Sequence, residues 1–196
     1  MSKANLLERR SVVAALLSGR KEAIVVGGLG ASTYDIAAAG DHDRNFYLWG
    51  GMGGAAMIGL GVALAQPELP VVVITGDGEM LMGMGSLATI GLQQPGNLTI
   101  IVLDNEVYGE TGGQASHTGA NADLVGVARA CGIVDAKSLA TMAEIEAYAP
   151  KMQDVSAGPR FVSIKIDSAN LERVLASRDG SFIVARIRGA LGFAPI

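Results

Sequence analysis

Two polar side chains follow two apolar runs at a spacing that suits metal and phosphate chemistry. Asp77 stands in a Gly-Asp-Gly triplet directly after the apolar run 71–74, and Asn105 follows Asp104 and the run 98–103. The 25 residues between the triplet and Asp104 are enough for a turn, a helix, a loop and the next strand of a parallel crossover. Because parallel strands end at one sheet edge, where open α/β folds bind ligands, we expect Asp77 and Asn105 to converge. A carboxylate and an amide oxygen suit a hard cation that also holds a phosphate, although the same residues could simply cap a helix and turn the chain.

The surrounding sequence predicts alternating helices and strands. The strands are continuous apolar runs, which is typical of an α/β fold whose parallel sheet, here of about six strands, carries helices on both faces. We expect a single domain over 1–196, with a tail or helix from about 168. The predicted helices cover 4–18, 32–39 (capped by Ser32 or Thr33), 55–65, 83–93, 121–130 (capped by Asn121), 141–152 and 181–191, and the predicted strands cover 23–26, 45–48, 71–75, 98–103, 133–135 and 161–166.

Glycine-rich turns follow four of the predicted strands and should therefore line one edge of the sheet. These turns are residues 27–33, 50–54, 76–79 and the aperiodic loop 104–120.

Composition narrows the class of protein. The chain is 49% apolar and 17% charged, and it has no apolar run long enough to span a membrane. Its net charge of −4 without a basic block argues against nucleic-acid binding. The short apolar segment 11–17 suits an amphipathic helix better than a signal peptide, so we expect a cytoplasmic protein. The single cysteine, Cys131, lies among apolar residues and is expected to be a buried structural thiol.

The Gly-Asp-Gly triplet and the later Asp104-Asn105 pair resemble the thiamine-diphosphate-dependent enzymes. Their diphosphate-binding domains carry the same triplet and, after a similar interval, a pair that is usually Asn-Asn. Asp104 departs from that pattern, whereas Asn105 keeps it. The resemblance implies that Asp77 and Asn105 are side-chain ligands of Mg²⁺ and that Val107 is a carbonyl ligand.

The resemblance also implies how the diphosphate is held. Gly30, Ala31 and Ser32, at the start of a helix, would offer backbone N–H groups to it. Gly76, Gly78 and Glu79 would contribute in the same way. The family often has Ser where Glu79 stands, and an acidic side chain should not face a phosphate, so we expect only the N–H of Glu79 to do so.

The segment 48–53 and the following residues 58–67 resemble the part of these enzymes that binds the aminopyrimidine. By that match the carbonyl of Gly50 would accept from the pyrimidine amino group, and Met52 would wedge beneath the bent cofactor. Methionine is apolar, flexible and polarizable, which suits a wedge but also ordinary core filling. Gly51 and Gly53 would let the backbone approach a flat ligand closely.

The loop 108–114, YGETGGQ, resembles that of the sulfopyruvate and phosphonopyruvate decarboxylase group, and the likeness covers most of 20–166. Within that group, the sequence most resembles the small, stand-alone beta subunit. Tyr108 and Gly109 would then contact the cofactor, and Glu110, Thr111 and His117 are candidate substrate contacts. His117, like His42, could also be an ordinary surface residue.

The family resemblance implies a three-layer thiamine-diphosphate-binding fold, thiamine diphosphate with Mg²⁺, and decarboxylation of a 2-oxoacid. The glutamate that activates the cofactor belongs to a pyrimidine domain that this sequence lacks. An alpha-type partner subunit is therefore implied, in an α2β2 or higher assembly. Glu106 and Glu110 argue against a sulfonate or phosphonate substrate, unless solvent screens them. A carboligase subunit of the acetolactate-synthase kind, or a subunit that binds cofactor without catalysis, stays open.

Two other classes fit the sequence poorly. An iron–sulfur 2-oxoacid:ferredoxin oxidoreductase subunit needs several cysteines, and the chain has one. A dinucleotide-binding fingerprint needs a third glycine after Gly28 and Gly30, and Thr33 stands there.

Overall fold

The computed structural model describes residues 6–194, which form eight strands and eight α-helices. The strands are β1 (Ile24–Gly27), β2 (Asn45–Tyr47), β3 (Val71–Gly76), β4 (Leu98–Asp104), β5 (Val107–Tyr108), β6 (Gln114–Ala115), β7 (Asp135–Leu139) and β8 (Arg160–Lys165). The helices are α1 (Arg9–Leu17), α2 (Ala31–Ala38), α3 (Ala55–Ala65), α4 (Asp77–Met82), α5 (Ser86–Gln93), α6 (Leu124–Ala130), α7 (Met142–Tyr148) and α8 (Gly180–Ala190).

Six strands form one parallel sheet in the order β2-β1-β3-β4-β8-β7, and β5 and β6 form a separate antiparallel hairpin. Successive side chains of a strand point to opposite faces, so Ile100 and Ile101 of β4 enter two different cores. Helices α3, α5 and α6 cover the face of Ile100, and α1, α2 and α7 cover that of Ile101. The predicted three-layer α/β fold with about six parallel strands is confirmed.

The largest difference from the predicted elements lies just after β3. A helix was predicted over 83–93, but α4 begins directly at Asp77, and α5 follows from Ser86. Gly83 and Gly85 separate the two helices, in keeping with the poor helix propensity of glycine. Asp77 therefore lies in the first turn of a helix.

The predicted helix caps were wrong. The residue before α2 is Gly30, and no side chain caps that helix; Thr33 instead donates its hydroxyl to the carbonyl of Gly28. The cap of α6 is Asp123, which accepts from the N–H of Gly126, rather than Asn121.

Two predicted elements have different bounds. The strand expected over 133–135 is displaced to Asp135–Leu139, because Ile133 is buried in the turn while pairing with β8 begins at Asp135. The helix expected over 141–152 changes to a 3₁₀ helix at Ala149–Gln153, where Pro150 cannot donate an α-helical hydrogen bond.

Three further expectations need correction. The first helix begins at Arg9, and Leu7 instead bridges to Ile166; the part of the predicted helix before residue 6 lies outside the described residues. The loop 105–120 contains the β5–β6 hairpin and two 3₁₀ turns. Cys131 is only half-buried, at the end of α6.

The C-terminal segment crosses the carboxyl edge of the sheet before forming α8. Residues 167–179 have no regular secondary structure, and Trp49 donates its indole N–H to the carbonyl of Ser177 at 2.7 Å. Helix α8 packs beside the edge strand β2, where Arg186 pairs with Asp41 at 2.6 Å. Among residues 6–194 no helix is both long and apolar enough to cross a membrane.

Candidate functional site

The carboxyl ends of β3 and β4, the start of α2 and the C-terminal segment enclose a cavity of about 270 Å³. The structure brings most of the predicted site residues together on its wall. These are Ala31, Ser32, Met52, Gly76, Gly78, Glu79, Asn105, Val107, Tyr108, Gly109, Glu110 and Thr111.

The remaining predicted residues lie around this cavity without lining it. Asp77 is buried between Gly76 and Gly78, which do line it. Gly30 is buried behind Glu110. His117 borders an adjoining hollow that shares Met52, Gly78, Tyr108 and Thr111 with the cavity, and Gly50 and Gly51 are exposed beside Met52.

Asp77 is held by two hydroxyl groups from the loop after β6. It is 1% exposed, and both Ser116 and Thr118 donate to its Oδ2 atom, Thr118 at 3.0 Å. Within residues 6–194 no hydroxyl or cationic side chain contacts the other carboxylate oxygen, Oδ1. Burial raises the pKa of the Asp77 carboxyl, and the two hydroxyl groups oppose that rise. The two hydroxyl groups thus fix the orientation of the carboxylate through Oδ2, and Oδ1 has no side-chain donor among these residues.

A tight turn after β4 positions Asn105 and Val107. The N–H of Val107 donates to Asn105 Oδ1 at 3.1 Å, and the N–H of Glu106 donates to Asp104 Oδ1 at 3.2 Å. Glu106 has a left-handed backbone conformation with φ of 63°. This geometry keeps the Asn105 and Val107 residues on the cavity wall.

These donors fit a magnesium ion that is also bound to a phosphate. Mg²⁺ takes few protein oxygens and completes its octahedron with water and phosphate. Within residues 6–194 the Oδ1 atom of Asp77 has no side-chain donor, and the amide oxygen of Asn105 has a second lone pair beyond the one that binds Val107. No cluster of three or more His, Cys, Asp or Glu side chains suited to a metal occurs in the part of the chain that the structure describes.

The turns before α2 and α4 offer only some of their backbone N–H groups to a diphosphate. Helices α2 and α4 both begin at the cavity, where Ala31, Ser32, Gly78 and Glu79 lie on its wall and the first N–H groups of each helix lack partners within the helix. The N–H of Leu29, however, is already bound to Glu79. Leu29 is not one of the residues expected to hold the diphosphate, and the proposed donors of this turn stay Gly30, Ala31 and Ser32.

Glu79 has a structural contact that the sequence did not suggest. Its Oε2 atom accepts from the N–H of Leu29 and from the hydroxyl of Thr75, each at 2.8 Å. The side chain thereby ties the β1–α2 turn to the start of α4. A side chain at Gly28 would overlap Glu79 Oε2, so this contact requires glycine there.

The two acidic residues of the loop both have cationic partners. Glu106 lies 2.6 Å from Lys165, and Glu110 lies 3.3 Å from Arg173, whose guanidinium stands over the ring of Tyr34. These pairs are exposed and add little stability, but Arg173 offsets the charge of Glu110, and Lys165, which also binds Asp104, offsets that of Glu106 in part. The repulsion of an anionic substrate by Glu106 and Glu110 should therefore be weaker than the sequence alone indicated.

The two histidines lie in different places. His117 is exposed, and its Nδ1 atom lies 3.4 Å from the hydroxyl of Tyr108, at the rim of the cavity. His42 precedes β2 at the amino edge of the sheet, where it contacts Arg20 and Arg44. Only His117 is placed to meet a substrate.

Several cavity residues were missed by sequence reasoning. Arg9 and Asp35 pair at 3.1 Å, and both line the far end of the cavity together with Asn170, Leu171 and Arg173. Because 167–179 is irregular, no periodicity indicated that it covers the site. Ser116 and Thr118 carried a signal, since two hydroxyl residues flank His117 in the loop that was already suspected.

Comparison with known proteins identifies the family. A profile described as thiamine pyrophosphate enzyme, C-terminal TPP binding domain, matches residues 27–166. The chain belongs to this family and carries its domain for thiamine diphosphate, which is another name for thiamine pyrophosphate.

The relatives narrow the relation further. The chain is 46% identical over 115 residues to the sulfopyruvate decarboxylase subunit beta of Methanocaldococcus jannaschii, a match covering 59% of this chain and 60% of that subunit. It is 42% identical over 153 residues to the phosphonopyruvate decarboxylase of Streptomyces viridochromogenes, a match that covers 78% of this chain and 38% of that protein. The sulfopyruvate decarboxylase subunit beta of Methanothermobacter thermautotrophicus is 33% identical over 189 residues, a match that covers 94% of this chain and 98% of that subunit. The predicted relation to this group is confirmed.

Proposed function

We propose that this chain is the thiamine-diphosphate- and Mg²⁺-binding subunit of a heteromeric 2-oxoacid decarboxylase, a carbon–carbon lyase. The observation that carries the proposal is that Asn105 and Val107 line one cavity together with the start of α4, where Asp77 is buried between the lining residues Gly76 and Gly78. Homology to sulfopyruvate and phosphonopyruvate decarboxylases supports the reaction type.

In this proposal the residues in and around the cavity bind different parts of the cofactor. Asp77, Asn105 and the Val107 carbonyl hold Mg²⁺, and the first residues of α2 and α4 hold the diphosphate. The carbonyl of Gly50 and the side chain of Met52 orient the aminopyrimidine. When bound, thiamine diphosphate supplies the thiazolium that stabilises the carbanion left by decarboxylation.

The activating glutamate comes from a second, pyrimidine-domain subunit. Of the acidic side chains that line the cavity, Asp35 and Glu110 are paired with arginines, and Glu79 is held through Oε2 by Leu29 and Thr75. The relatives named subunit beta imply an alpha subunit, and we propose an α2β2 heterotetramer with the cofactor between the chains.

We propose a 2-oxoacid with a second anionic group as substrate. Arg173 offsets the charge of Glu110 beside the cavity, and Lys165 lies 2.6 Å from Glu106, so the loop repels a sulfonate or phosphonate less than its two glutamates alone would. Thr111 and His117 at the rim are the residues that we expect to contact it.

The test is to purify the chain alone and with a co-expressed pyrimidine-domain subunit, and to measure CO₂ release from sulfopyruvate, phosphonopyruvate and pyruvate. We expect turnover only with both chains, thiamine diphosphate and Mg²⁺, and faster turnover of the two dianionic substrates. Cofactor binding without release of CO₂ from any 2-oxoacid would favour a carboligase or a non-catalytic subunit instead.

A further inference from the structure

The metal ligand Asp77 has a second buried carboxylate as its neighbour. Asp104 is 3% exposed and occupies the position where the family usually has a neutral asparagine. Thr118 joins the two residues, because its Oγ1 atom lies 3.0 Å from Asp77 Oδ2 and 2.7 Å from Asp104 Oδ1. One hydroxyl has one proton, so it can donate to only one of these carboxylates at a time.

Lys165 compensates the added charge. Its Nζ atom lies 2.9 Å from Asp104 Oδ2 and 2.6 Å from Glu106 Oε1. Asp104 and Lys165 are the last residues of the neighbouring strands β4 and β8, where they stand in register. The pair is therefore positioned by the sheet itself, and a further contact from Nζ to the Thr118 carbonyl at 3.3 Å reaches the loop.

We propose that Lys165, Asp104 and Thr118 set the Mg²⁺ affinity of the Asp77 site. Lys165 offsets the buried charge of Asp104, so the buried charge that the metal meets is that of Asp77, as it would be with asparagine at position 104; Glu106, the second carboxylate on Lys165, is exposed to solvent. Thr118 contacts both carboxylates, so a shift of the Asp104–Lys165 pair would also shift the Asp77 carboxylate. These are positioning residues, and the inference rests on the proposed role of Asp77 as a metal ligand.

The proposal predicts opposite effects for the two halves of the pair. Asp104→Asn leaves the Lys165 charge near the metal and should weaken Mg²⁺ binding by about tenfold, the lower end of the effect of groups that support a metal ligand. Lys165→Met leaves two buried carboxylates and should tighten Mg²⁺ binding. The double variant Asp104→Asn/Lys165→Met should return to within about threefold of the parent, because its net charge is unchanged.

The measurement is calorimetric titration of Mg²⁺ into the full chain saturated with thiamine diphosphate, alone and with its partner subunit. Glu106→Gln is the matched control, since it removes the other carboxylate on Lys165 at an exposed position and should leave the affinity unchanged. Melting curves without metal show whether each variant is folded.

The outcomes separate this inference from the function on which it rests. Weaker binding in both single variants would mean that the pair only supports the fold, and unchanged binding would mean that it does not influence the metal; either result overturns the proposal. If Asp77→Asn also binds Mg²⁺ as the parent does, the metal site itself is misplaced. Loss of binding in Asp77→Asn with no effect at 104 or 165 would overturn this inference alone.

Discussion

The two ends of the cavity are built differently. At the proposed metal end, Asp77 is buried and bound by Ser116 and Thr118, and the neighbouring Asp104 is paired with Lys165. At the proposed pyrimidine end, Gly50 and Gly51 are exposed, and among residues 6–194 no atom beyond their chain neighbours lies within 4 Å of where a Cβ atom would stand. The metal end is thus organised by this chain alone, whereas the pyrimidine end is open, as expected if cofactor and partner complete it.

The largest expected effect comes from Asp77→Asn at the organised end. It removes the only charge that the proposed site offers to Mg²⁺, so cofactor retention in the presence of Mg²⁺ should fall by more than about 100-fold. The apo protein should remain folded, because the amide oxygen can still accept from the loop hydroxyl groups. Equilibrium dialysis with thiamine diphosphate measures the change, and Asp43→Asn, on the exposed loop before β2, is the control. Equal retention in both variants would contradict the metal assignment.

Gly28→Ala tests whether the organised end depends on the Glu79 contact. The added methyl group would overlap Glu79 Oε2 and lie 2.7 Å from Thr75 Oγ1, so we expect unfolding to become easier by about 1–3 kcal/mol. Urea denaturation provides the measurement. Gly61→Ala, on the exposed side of α3 with nothing within 4 Å, should be neutral or stabilising. Similar losses in the two variants would show that the clash is not the cause, whereas Gly28→Ala/Glu79→Ala should recover part of the loss.

Gly50→Ala tests the open end. Because the new methyl group would meet no atom of residues 6–194 within 4 Å, the free energy of unfolding should change by less than about 0.5 kcal/mol. Cofactor binding by the complete complex should nevertheless weaken, by about tenfold if the methyl group blocks a hydrogen bond to the Gly50 carbonyl. Titration of the complex with thiamine diphosphate decides this. Unchanged binding would mean that Gly50 faces solvent in the assembly as well.

The smallest effect is expected from Arg173→Gln, which removes the ion pair with Glu110 between the C-terminal segment and the loop. The pair is exposed, so stability should fall by at most about 1 kcal/mol. Hydrogen exchange should rise at amides in 167–179 and remain unchanged around Asp77. Equal exchange in this segment before and after the substitution would show that Trp49 and Arg10 suffice to hold it.

The local sequence predicted the helices and strands correctly where an apolar run was bounded by residues that end secondary structure. Helix α3 was predicted with its observed bounds, and β3 and β4 to within one residue at their ends, because each is an apolar run bounded by glycine, proline or acidic residues. The caps of α2 and α6 were missed, since several hydroxyl, amide and acidic residues compete for one position and backbone geometry chooses among them.

Sequence alone also determined the class of site, because the Gly-Asp-Gly triplet, the crossover length and Asn105 all lie within one β-α-β unit. It did not determine the partners of the charged residues. Lys165 meets Asp104 only because β8 joins the sheet beside β4, and Arg173 meets Glu110 only because the C-terminal segment crosses the carboxyl edge. These partners are about sixty residues apart in the chain, and no local propensity encodes such a contact. Strand order and the path of the tail therefore decided which charges around the site are compensated.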